Sequence, residues 1–114
     1  MLGHYVYFSL HDNSPAAIVS LMTSAEELLA AHEGIVFFAV GSRTPNLDRE
    51  VNDQKFDVAL QIVFSNRLAH DTYQESSQHH RFINANKSNW GQIRVFDVDI
   101  RNRMEDPDGR ENDE

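Results

Sequence analysis

The spacing of apolar residues changes along this chain, and the order in which two-residue and helical periods succeed one another restricts the fold more than any other feature. From Gly3 to Leu10 the residues alternate: His4, Val6, Phe8 and Leu10 face one way, Tyr5, Tyr7 and Ser9 the other, as a strand requires. Asp12-Asn13-Ser14-Pro15 then reads as a helix start, with Ser14 as N-cap and Pro15 at the first helical position. Ile18, Leu21, Met22, Ala25, Leu28 and Leu29 follow at three-and-four spacing as one apolar stripe, and Gly34 is a natural stop. Ile35 to Val40 is a continuous apolar run, too short for a typical helix and rich in β-formers, which predicts a strand buried on both faces. Residues 42–54 are polar and carry Pro45, so they predict a long loop. Phe56, Val58, Leu60, Ile62 and Phe64 alternate again and predict a third strand. Ser65 or Asn66 caps a short helix over Arg67–Gln74, Ser76 or Ser77 caps another over about Gln78–Lys87, and Ile93–Ile100 makes a last strand.

The order β-α-β-β-α-β predicts an α+β, ferredoxin-like protomer, with an antiparallel sheet and its helices on one face. A chain of 114 residues is too short for two independent cores, so residues 1–103 read as one domain. Residues 104–114, rich in Asp, Glu, Asn and Arg, read as an acidic mobile tail. A single helical layer leaves the other sheet face bare, yet Tyr5, Tyr7 and one side of Ile35–Val40 are apolar there. Two such sheets packed face to face in a homodimer, a dimeric α/β barrel, would cover them.

Charge and composition remove several functions. A formal net charge of -8 repels phosphate, so neither nucleic acid nor an anionic membrane is an expected partner. The chain has no cysteine, which excludes thiol catalysis, disulfides and thiolate metal sites. Met1-Leu2-Gly3-His4 lacks the basic start of a signal peptide and no apolar run is of bilayer length, so a cytoplasmic location is expected.

Several segments together resemble the stress-responsive α/β-barrel (Dabb) family. They are His4 opening the first strand, Phe56-Asp57-Val58-Ala59-Leu60 running into Phe64-Ser65, and Ala69-His70-Asp71-Thr72-Tyr73. His79 with Phe82, then Trp90 and Val95-Phe96-Asp97, complete a match over nearly all of residues 1–100. The resemblance implies a ferredoxin-like protomer in a homodimeric barrel; no cofactor is expected. In a similar plant polyketide cyclase of the family, a Tyr and a His six residues later close a ring by aldol condensation. Tyr73 and His79 have that spacing, and His4 matches the family's first-strand His lining the same pocket. The chain departs from the family before His79, where Ser76-Ser77 replaces the favoured His-Pro.

On one uninterrupted helix, six positions would set Tyr73 and His79 roughly 240° apart, so their convergence needs a break, which Ser76-Ser77 supplies. His79 then lies in a first helical turn, whose positive end favours the neutral imidazole that a general base requires. Tyr73 can donate a hydrogen bond to a carbonyl oxygen as negative charge grows on it. The expected site therefore has His79 and Tyr73 as catalytic groups and His4, Val6, Phe8, Leu60 and Phe82 as the binding wall. The plainer reading is packing: His79 as a cap, Tyr73 at a helix end, and His4 as a satisfied core histidine.

His32, His70 and His80 are expected on helix surfaces and His11 in a turn. No two histidines have the i, i+4 spacing of a helical ligand pair, so no metal centre is expected. The loop residues Arg43, Asp48, Arg49, Asn52 and Asp53 either gate a pocket, contact a partner subunit or stay solvated. Trp90 and Phe96 read as core or dimer seam. Two functions follow. One is a pocket that binds or transforms a small apolar or carbonyl, polyketide-like compound by lyase- or cyclase-type acid–base chemistry. The other is a non-enzymatic stress-associated or interaction protein whose barrel dimer is structural. RNA recognition on the sheet needs basic residues beside its aromatics, and the acidic balance opposes it.

Overall fold

In a computed structural model, residues 1–101 are described, and the tail expected from 104 lies outside them. The elements are β1 (Leu2–Leu10), α1 (Pro15–Leu29), β2 (Ile35–Ser42), β3 (Val58–Phe64), α2 (Arg67–Gln74), α3 (Ser77–Asn86), a single 3₁₀ turn (Lys87–Asn89) and β4 (Trp90–Asp99). The four strands form one antiparallel sheet in the order β2-β3-β1-β4, the ferredoxin-like arrangement.

Local chemistry explains where the helices begin. Ser14 accepts a hydrogen bond from the Ala17 amide at 3.3 Å, Asn66 from Ala69 at 2.8 Å and Ser76 from His79 at 3.1 Å. Each satisfies an amide that the first helical turn leaves without a carbonyl partner. The apolar stripe of α1 faces the sheet, with Leu21, Ala25 and Leu29 buried and Ile18, Met22 and Leu28 packed around them. The helix ends at Leu29, before Gly34. Gly34 instead turns the chain into β2 with φ +91°, and a Cβ there would stand 2.4 Å from the Cβ of Ala69. Only glycine allows that turn and lets β2 begin against α2.

The two central strands carry the core. Val6 and Phe8 of β1 and Val58, Leu60, Ile62 and Phe64 of β3 are buried under the helices. Full burial of side chains of this size is worth about 1.5–3 kcal/mol each. Two sequence expectations are corrected here. The run Ile35–Val40 forms an edge strand in the protomer, with Val36 56% and Phe37 51% exposed. A bulge between Ile35 and Phe37 lets Ile35 and Phe38 pack inward while Phe37 turns out beside Val63. Phe56 does not continue the β3 alternation; it packs on Tyr7, on the opposite sheet face, with ring centroids 5.2 Å apart. Asp57 causes the break. Its amide donates to Phe8 O, its carboxylate accepts from the Leu10 amide at 2.8 Å, and regular pairing begins only at Val58.

The face away from the helices carries Tyr5, Tyr7, Phe96, Val98 and Phe37, of which the last three are exposed. The segment after β2 reaches this face through Asp53, which pairs with Arg94 at 2.5 Å. Arg49 binds Asn52 within the loop, Arg43 donates to the Phe56 carbonyl, and Asp48 is exposed. Among the described residues no helix is long and apolar enough to cross a membrane.

Candidate functional site

Between sheet and helices lies a cavity of about 320 Å³. His4, Val6, Phe8 and Leu60 line it from the sheet, and Tyr73, His79 and Phe82 from the helices. Thus all seven residues singled out in the sequence stand on one wall system. Trp90, Ile93, Val95 and Asp97 of β4 close the side opposite β3. The alternation of β1 explains the sheet contribution, since its even-numbered residues all point to the helical layer.

Tyr73 ends up beside His79 because the helix is interrupted. α2 stops at Gln74, and α3 starts again at Ser77 behind the Ser76 cap. The Ser76 hydroxyl donates to the Tyr73 carbonyl at 2.9 Å while accepting from the His79 amide at 3.1 Å. One side chain therefore holds the backbone of both candidate groups, and their rings meet edge to face with centroids 4.9 Å apart.

Burial sets the protonation states. Tyr73 is 2% exposed, and desolvation pushes its phenol above its ordinary value, so it stays a donor. Desolvation lowers the pKa of His79 to about 4, helped by the like charges of His80, His4, His32 and His70. The imidazole is thus neutral at physiological pH. Its Nδ1 is buried without a hydrogen-bond partner among the described residues, and the same holds for Trp90 Nε1. Unpaired buried polar atoms cost about 1–3 kcal/mol each, a cost that a ligand with polar atoms can relieve.

Two placements, those of His32 and His70, differ from the sequence reading. His32 is no surface helix residue; it follows α1, with Nδ1 3.0 Å from the Leu29 carbonyl and Nε2 3.0 Å from Ser76 Oγ. His70 is turned in from α2 to line the cavity, its ring 5.0 Å from that of His4. Trp90, expected in the core or dimer seam, opens β4 and packs against the core residues Phe8 and Phe82 at the cavity wall. Asp97, unremarked as a site residue in the sequence, pairs with His4: Oδ1 lies 2.6 Å from Nδ1. Its one sign in the sequence was its place in the Val95-Phe96-Asp97 segment that carries the family resemblance. Gln74 Nε2 stands 3.4 Å from the other ring nitrogen of His4.

A four-stranded antiparallel sheet with one helical layer and a cavity between them defines a ferredoxin-like α+β domain. The chain belongs to the stress responsive A/B barrel domain family, whose model matches residues 2–100. No curated protein matches the sequence. The fold is similar to that of a dimeric ferredoxin-like protein of unknown function from Thermobifida fusca, with TM-score 0.73, 15% identity, and 87% of this chain and 90% of that chain covered. It is also similar to a Dabb family protein from Mesorhizobium loti, with TM-score 0.70, 17% identity and coverage of 89% and 97%. A hydroxynitrile lyase from Passiflora edulis shares it as well, with TM-score 0.70, 16% identity and coverage of 88% and 93%.

Proposed function

We propose that this protein is a homodimer whose cavity binds a small, mainly apolar carbonyl compound and moves a proton beside that carbonyl. The observation that carries the reading is the contact of Tyr73 and His79, 4.9 Å between ring centroids, on a cavity large enough for such a molecule. The neutral His79 imidazole accepts the α-proton, and the Tyr73 phenol donates a hydrogen bond to the oxygen that becomes an enolate. A base whose pKa is about 4 is weak, so the step depends on negative charge growing next to the imidazole and raising its proton affinity. Val6, Phe8, Leu60 and Phe82 take the apolar part of the ligand, and His4 orients its polar end. The Trp90 indole N–H calls for a hydrogen-bond acceptor, as a second oxygen would provide.

The dimer reading rests on the apolar open face, where Tyr5, Tyr7, Phe37, Phe96 and Val98 gather. The Thermobifida protein of similar fold is dimeric, and the Passiflora protein of similar fold is a hydroxynitrile lyase, which supports the reading. The cavity favours the small-molecule reading over a purely structural barrel, whose interior would be filled.

Proton abstraction is tested without knowing the natural ligand. A medium-chain β-diketone incubated in deuterated buffer should exchange its α-protons faster with the protein than without it. His79→Ala should reduce the protein-dependent rate by about 100-fold or more, and Tyr73→Phe by a smaller factor. Exchange that both variants retain at full rate would overturn the assignment.

A further inference from the structure

We propose that His4, His70 and Asp97 form a binding site for a divalent first-row transition ion of the zinc class. One ring nitrogen from each histidine and one carboxylate oxygen of Asp97 lie within 4.8 Å of one another. Around a tetrahedral ion with bonds of about 2.1 Å, ligand atoms stand about 3.4 Å apart, so small side-chain rotations complete the geometry. These rotations are open to two of the three. Asp97 lies on the edge strand β4 with half of its side chain in water, and His70, turned inward with its side chain 14% exposed, borders both the cavity and a second hollow.

The surroundings suit a cation. Asp71 bonds His70 Nδ1 at 2.9 Å, which orients the ring and leaves the lone pair of Nε2 to an ion. A carboxylate behind a ligating histidine is the usual outer support of such sites. That second hollow, of about 250 Å³, reaches the group from outside between Leu2, Arg67, His70, Asp97 and Asp99. It has room for the water molecules that complete the coordination shell. Arg67, the one opposing charge there, is held by Asp71 at 3.0 Å. The net charge of -8 further favours cation uptake.

Two nitrogens and one carboxylate with open positions match zinc, cobalt and iron(II) better than magnesium or calcium, which prefer oxygen alone. The proposal does not rest on the acid–base reading of Tyr73 and His79, and its test makes no use of turnover. The chelator-treated full-length chain is titrated with cobalt(II) chloride, followed by visible absorption, and with zinc chloride, followed by calorimetry. One ion per protomer is expected, with a cobalt spectrum unlike that of the aqueous ion. His70→Ala and Asp97→Asn should weaken affinity at least tenfold, and Asp71→Asn by about tenfold. His80→Ala should leave it unchanged, which distinguishes this site from the adjacent His79 and His80 pair. His70 and Asp97 lie outside the buried core, so their variants are read only once folding is confirmed by circular dichroism. An unchanged aqueous cobalt spectrum, or binding that survives His70→Ala, would overturn the site.

Discussion

The rings of Tyr73 and His79 meet edge to face, 4.9 Å between centroids, across a helix break that a single serine holds in place. Ser76 bonds the carbonyl of one and the amide of the other, and His32 reaches the same hydroxyl from the end of α1. The geometry of the candidate pair is thereby tied to a capping interaction.

Ser76→Ala should therefore destabilise the fold by about 1 kcal/mol, the usual cost of losing an N-cap. Because the same hydroxyl spaces Tyr73 and His79, deuterium exchange of the diketone should also fall, whereas Ser77→Ala should alter neither. Urea unfolding and exchange rates on the two variants check this.

His79 carries a pH dependence whose sign follows from its burial. Its folded pKa is about 4, below the ordinary value of about 6.5. Between those values the unfolded chain binds a proton at this residue and the folded chain does not. Its contribution to stability is full above about pH 6.5 and is lost as the pH falls toward about 4. His79→Gln should flatten that part of the curve of urea midpoint against pH. An unchanged slope would mean that another group titrates there.

Phe96 stands half exposed on the open sheet face, on the edge strand β4, paired in register with Tyr5 and packed beside Tyr7. A charge at this point would be buried unpaired in any sheet-to-sheet dimer. Phe96→Glu should give a folded monomer by sedimentation where the parent chain gives a dimer. A parent chain that sediments as a monomer would refute the dimer reading.

Gly34→Ala should cost on the order of 1–3 kcal/mol, the range for a non-glycine residue held at such a φ. The added methyl also meets Ala69 at 2.4 Å. Gly41→Ala, with nothing within 4 Å of its Cβ, is the control and should leave the thermal midpoint much closer to the parent's.

Much of the fold was legible because local physics suffices for it. The alternation of β1, the stripe of α1, the caps at Ser14, Asn66 and Ser76 and the loop after Ser42 each depend on residues within one or two turns of one another. The order of these elements was enough for the ferredoxin-like architecture. The inward direction of His4 followed from the period of two, and the break between Tyr73 and His79 from two consecutive serines.

Tertiary structure alone decided what lies beside what. A continuous apolar run reads the same in a central strand as in an edge strand, and only the sheet order left Val36 and Phe37 uncovered. Phe56 continued the alternation by count, but the bonds of Asp57 to β1 turned it to the other face. Asp97 reaches His4 across 93 residues because β4 pairs with β1 in the register that sets those two residues opposite each other. His70 and His32 were drawn inward by the packing of α2 and by the end of α1. Hydrophobic period records which side of an element turns inward, whereas strand order, register and side-chain pairing are set by contacts distant in sequence, and no local spacing encodes those.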